Sequence, residues 1–181
     1  MVVAGAWDQH SEELLRDWRK RLAAASEAHY RLASGLRRKN LWLGIPTVIC
    51  SAVVGTSLFS TLEGPDVQVK LSPKFRAAIG AMSLFAAVLA ALQTFLRFGE
   101  RAEKHVVAGD WYAAIRRDVD QLLALPHEAR GRPKDCFDRV RKEMAKVGQQ
   151  SPEIGDRLWA VMASKYGLDD TTFPPASASA E

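Results

Sequence analysis

The stretch LWLGIPTVICSAVVGTSLFSTL, residues 41–62, contains no Asp, Glu, Lys or Arg, and neither does AAIGAMSLFAAVLAALQTFL, residues 77–96. An α-helix rises ~1.5 Å per residue, so about 20 apolar residues cover the ~30 Å hydrocarbon core of a bilayer. Both stretches meet that length. A buried helix in a small soluble domain is rarely uncharged on every face over such a length, as these two are. The pattern predicts two transmembrane helices. A cleaved signal peptide does not fit the first stretch, which begins some forty residues into the chain and is too long.

Working outward, the flanks set the orientation. Arg31, Arg37, Arg38 and Lys39 precede the first span, and Arg97, Arg101 and Lys104 follow the second. The connecting segment, 63–76, carries Lys70, Lys74 and Arg76, together with Glu63 and Asp66. The Lys/Arg excess on the outer flanks places both termini in the cytoplasm of a multi-pass inner-membrane protein. Gly64-Pro65 and Ser72-Pro73 read as turn and breaker signals, and the segment is too short to be an external domain. Pro46, just after Gly44, marks either the start of regular helix or a kink.

Small residues recur within the spans at four-residue spacing: Ser51/Gly55 and Ala52/Thr56 in the first, Ala77/Ala81, Ala86/Ala90 and Ala87/Ala91 in the second. Such pairs let helix backbones approach closely in lipid. Ser51, Gly55, Ala86 and Ala90 are the expected packing positions. They serve either a hairpin within one chain or a homo-oligomer, and the number of small faces favours the oligomer. Polar span residues are mild: Thr47, Ser51, Ser57 and Ser60 in the first span, Ser83, Gln93 and Thr94 in the second. The absence of an intramembrane ionisable group weighs against ion-coupled transport. Ser83, Gln93 and Thr94 either line a pore or, for the hydroxyls, bond back to the helix backbone.

Beside the spans lie amphipathic seams. Leu15, Trp18, Leu22, Ala25, His29, Leu32 and Leu36 alternate at spacings of three and four. Phe98, His105, Ala108, Tyr112, Ile115, Val119 and Leu122 recur at helical spacings on the other side. The two seams predict antiparallel cytosolic helices that extend the spans. His29 and His105 each fall roughly 15 Å beyond a span, counting ~1.5 Å per residue, so they meet at similar depth. They form either a packing pair or a pH or ligand sensor.

After a breaker at 130–133, residues 135–147 predict a short amphipathic helix with Phe137, Val140, Met144 and Val147 on one side. Ser151 then reads as an N-cap with Pro152 at the first helical position, opening a final helix to Tyr166 that Gly167 stops. The expected organisation is all-α: a two-span membrane domain at 8–125, a C-terminal helical pair at 133–167 and a disordered tail at 168–181.

Net charge is only +4, without the Lys/Arg clusters and interleaved aromatics of a nucleic-acid binder. Cys50 and Cys136 stand far apart, with no metal-ligand spacing and no disulfide expected. No P-loop, GxGxxG, HExxH, nucleophile elbow or EF-hand loop occurs. Cys136 and the histidines have no nucleophile–base spacing. His127, beside Pro126, reads as solvent-exposed, and Asp8, Asp17, Asp110, Asp118 and Asp120 read as solvated charges. The expectation is a non-enzyme with no metal or cofactor.

The order of residues around the spans resembles the SLATT domain, a two-transmembrane effector domain associated with SMODS and SLOG proteins in bacterial conflict systems. The resemblance is carried by Trp18 to His29, Arg38-Lys39-Asn40 leading into Leu43-Gly44-Ile45-Pro46, and Ala90-Ala91-Leu92-Gln93-Thr94-Phe95-Leu96. It continues through Phe98, Glu100, Glu103, Lys104-His105 and Trp111-Tyr112. It covers roughly residues 10 to 125. It implies a pore-forming or membrane-disrupting antiviral effector triggered by a nucleotide-sensing or nucleotide-synthesising partner. Unlike fused members of that family, this chain carries no sensor or cyclase domain, which implies a trigger that comes from a separate protein or acts directly on the cytosolic helices. A non-catalytic scaffold or regulatory subunit of a membrane complex is the alternative reading.

Overall fold

The computed structural model describes residues 7–62 and 72–168, with side chains at 7–57 and 72–168. The described residues are all-helical, with no strand among them. α1 runs from Gln9 to Leu62, α2 from Pro73 to Leu96 and α3 from Phe98 to Ala124. A single 3₁₀ turn, His127–Ala129, leads to α4, Pro133–Gln150, and α5, Asp156–Tyr166. Residues 63–71, including Gly64-Pro65 and Lys70, and residues 169–181 of the expected tail lie outside the described residues.

The helix ends follow local chemistry. α2 begins at Pro73, before the uncharged stretch at 77–96, because Ser72 caps it: the Ser72 hydroxyl accepts from the Phe75 N–H at 3.3 Å. Pro73 occupies the first turn, where a missing N–H costs nothing. α2 stops at Arg97, which adopts the left-handed conformation (φ 47°, ψ 39°) and donates its N–H to the Gln93 carbonyl. α3 starts at the next residue. Pro46 lies inside α1, which continues through it, so it neither starts nor ends a helix.

The C-terminal boundaries differ from expectation. α4 begins at Pro133 and extends to Gln150. Ser151 is its C-terminal cap and not the N-cap of the next helix: the Ser151 hydroxyl donates to the Val147 carbonyl at 2.7 Å. Pro152 therefore sits in a linker, and α5 starts after Gly155. A serine beside Pro fits an N-cap in sequence, but a hydroxyl can also reach back to the preceding turn. Gly167 does terminate α5, at φ 62°.

The described residues fall into two compact units, one within 1–34 and 102–181 and the other within 35–101. In the first, α1 (9–34) and α3 (102–124) run antiparallel and pack with α4 and α5 around one core. Leu15, Leu22, Tyr112, Val119, Val140 and Met162 are its largest fully buried apolar or aromatic side chains. The expected C-terminal pair at 133–167 thus shares a core with the seams. Leu168, assigned to the tail from sequence, is buried against this core too. The second unit holds the rest of α1, α2 and the start of α3.

Candidate functional site

The second unit departs from the ordinary rule of burial. Leu41, Trp42, Ile45, Val48, Ile49 and Val53 of α1 are exposed, as are Phe75, Leu84, Phe85, Val88, Leu92 and Phe95 of α2. Trp42 is 74% exposed, Leu84 69% and Phe95 83%. At even about 1 kcal/mol for each of these twelve side chains, the unrealised burial is on the order of 12 kcal/mol, as large as the whole stability of a small domain. Scattered apolar residues on a surface are ordinary, but this many exposed on two helices, most of them within uncharged stretches, mark an interaction surface. Both helices are long and apolar enough to cross a membrane.

Within this unit the packing positions separate. Ala86 and Leu89 are buried, Gly55 is half-buried, and Ser51 and Ala90 are exposed. Ala86 therefore serves the contact inside this chain, while Ser51 and Ala90 face outward and remain open to a partner. A Cβ added at Gly44 would come within 2.9 Å of the Gln93 amide nitrogen. Gln93 thus lies across α1, where glycine leaves room for it. Thr94 is exposed and donates its hydroxyl to the Ala90 carbonyl at 3.0 Å. Thr47 and Ser57 likewise donate to Leu43 and Val53 at 2.7 Å each. Ser83 is exposed. The Ser60 side chain lies outside the described residues.

The first unit holds the histidine pair. Nδ1 of His29 and Nδ1 of His105 are 2.9 Å apart, and His29 is fully buried. The seams position both rings on facing helices. One ring must donate and the other accept. Nε2 of His29 is buried with no hydrogen-bond partner. The Tyr112 ring stacks on His29 at 5.5 Å. Burial, and secondarily the positive charge available to His105, push the His29 pKa down to about 4. Beside the pair, the Tyr30 hydroxyl donates to Asp110 at 2.6 Å, and its ring lies where a Cβ on Gly109 would sit.

Two carboxylates on α1 tie distant parts of this unit together, and neither has a signature in sequence. Glu12 accepts from Arg130 at 2.7 Å and faces His127 Nε2 at 2.8 Å. These contacts hold its carboxyl down to about 2. His127 is exposed, as expected, but paired. Glu27 accepts from Lys165, Tyr166 and Arg31, with the Lys165 bond the largest cause of its pKa falling to about 2. Arg130 is buried despite its charge because it also donates to the carbonyls of Leu125 and Leu123. Cys136 Sγ lies 3.1 Å from the Arg130 carbonyl, and both cysteines are free thiols. Among the described residues no group of three or more His, Cys, Asp and Glu side chains is placed to hold a metal ion. No family model, curated protein or solved structure matches this chain.

Proposed function

We propose that residues 41–62 and 77–96 cross a bacterial inner membrane with both termini cytoplasmic. On this reading the chain is an oligomeric membrane effector that opens a pore or disrupts the bilayer. The carrying observation is the uncharged apolar surface that α1 and α2 leave exposed. A lipid bilayer is the solvent that matches it without an added protein partner. The outward small residues Ser51 and Ala90 support homo-oligomerisation, since lipid offers no hydrophobic drive and small faces give close contact. The resemblance to SLATT effectors supports a role in nucleotide-linked anti-phage defence. A separate nucleotide-sensing or nucleotide-synthesising protein would then deliver the trigger to the cytosolic helices, with no nucleic acid bound. No catalytic step is assigned to the chain.

A scaffold role within another membrane complex is favoured by the same outward faces. The two readings part on permeability. Bacteria expressing the chain, with the defence trigger supplied by phage infection, are followed with a voltage-sensitive dye. The effector reading expects depolarisation that Ala90→Leu abolishes at equal membrane abundance. Ala90 is chosen over Ala86 because only the former faces away from its own chain. An unchanged potential with well-expressed protein under infection supports the scaffold.

A further inference from the structure

A cleft of about 760 Å³ opens in the second unit, lined by Arg38, Lys39, Trp42, Leu43, Leu96 and Phe98. Its composition is divided. Arg38 and Lys39 are the last charges before the uncharged stretch of α1, and Leu96 is the last residue of the uncharged stretch of α2. The cleft therefore lies where both helices pass from charged to uncharged at once. The left-handed turn at Arg97 makes this possible: it ends α2 after Leu96 and brings Phe98 in as the first residue of α3. The Lys39 ammonium sits 6.0 Å from the centre of the Phe98 ring, so one cation is held at the cleft by an aromatic face. Trp42 keeps most of its ring exposed beside these charges. Arg38 and Lys39 are the charged residues that line the cleft.

We propose that this cleft is a binding site for an anionic phospholipid. Arg38 and Lys39 take the headgroup phosphate, and Trp42, Leu43, Leu96 and Phe98 receive the glycerol and the first acyl carbons. The ligand is a phosphate attached to a hydrocarbon, because cations and an apolar wall share one cleft. A free phosphate uses only the first half of it. Basic residues at a bilayer surface attract anionic lipid, and tryptophan settles at the headgroup level. The assignment rests on the two helices lying in a bilayer.

The test uses the full chain, reconstituted in vesicles of phosphatidylcholine with one-fifth phosphatidylglycerol, then extracted in mild detergent. Co-purifying lipid is counted by native mass spectrometry. The expected result is retention of phosphatidylglycerol over phosphatidylcholine, reduced on the order of tenfold in Arg38→Gln/Lys39→Gln. Arg141→Gln/Lys142→Gln removes the same charge from exposed positions on α4 and is expected to leave retention unchanged. Equal loss in both double variants overturns the site in favour of diffuse charge, and so does an absence of phosphatidylglycerol preference in the wild type. Displacement of the lipid by millimolar inorganic phosphate overturns the lipid assignment in favour of a plain anion site. Flotation of the vesicles separates the underlying reading: protein that fails to float with them refutes the membrane spans themselves. Protein that floats but shows no selectivity refutes only the cleft.

Discussion

The two units of this chain place their apolar side chains in opposite ways. Residues 9–34 and 102–168 bury Leu22, Tyr112, Val140 and Met162 and surround them with ion pairs, among them Arg19–Asp120, Arg21–Asp17 and Lys165–Glu27. The unit from 35 to 101 does the reverse: Leu84, Phe85 and Phe95 lie outside, and the uncharged stretches offer no ion pair at all. α1 and α3 contribute to both units, so the burial pattern changes part-way along one helix. The comparison teaches that burial is meaningful only relative to the medium. The same exposed leucine is a defect in water and a match in hydrocarbon.

The strongest way to break this comparison is charge. Val53→Arg/Leu84→Arg places two cations on exposed positions near the middle of the uncharged stretches. In a bilayer each costs about 2.5–3.5 kcal/mol at the helix centre, and the pair is expected to shift the chain out of the carbonate-resistant membrane fraction. In water the same substitutions would raise solubility and stability. Continued membrane integration of the double variant would end the two-solvent account.

Truncation in the first unit is next. Leu22→Ala, at a fully buried position, is expected to cost about 2–5 kcal/mol, read as a lowered denaturant midpoint of the detergent-solubilised protein. A shift below about 1 kcal/mol would show that this unit does not close as a water-type core. Smaller again is Glu27→Gln, which weakens the contacts to Lys165, Tyr166 and Arg31 at a partly exposed site. About 1 kcal/mol is expected at neutral pH. The sign with pH follows from the depressed carboxyl. The contribution is complete above the ordinary value of 4.5 and disappears as pH falls toward about 2, so wild type and variant converge in acid.

The histidine pair gives the finest discrimination. His29 is depressed in the folded state, so its contribution is complete above pH 6.5 and is lost as pH falls through about 4. The groups that face it are His105 and Tyr112. Wild-type stability is expected to decline over that window, and His29→Leu/His105→Leu to flatten the decline. An unchanged slope in the double variant would assign the acid response elsewhere.

The elements that local chemistry governs were legible in the sequence. Uncharged runs, three-four seams and Gly167 each report on their own neighbourhood, and the seam residues Leu15, Leu22, Ala25, His29, Tyr112 and Val119 are all buried, whereas Ser72-Pro73, read as a breaker, caps and opens α2. The meeting of His29 with His105 followed from seam position and helical rise. Ser151 misled because its hydroxyl serves the helix behind it as readily as the one ahead. The Glu12–Arg130 and Glu27–Lys165 pairs left no trace, since Coulomb partners 118 and 138 positions apart obey no period. Nor did the sequence separate Ala86 from Ala90, because small-residue spacing cannot say which member meets its own chain.

Those long separations also set an order of events during synthesis. Residues 9–34 leave the ribosome first, yet the surfaces that cover Leu15, Leu22 and Ala25 belong to α3, α4 and α5. Glu27 waits for Tyr166, 139 positions later. At about 5–20 residues per second the interval is roughly 7–28 s. Both apolar stretches emerge within it. The two apolar stretches are therefore complete before the core of the first unit closes, and a nascent chain stalled between residues 100 and 160 would present an uncovered seam to chaperones.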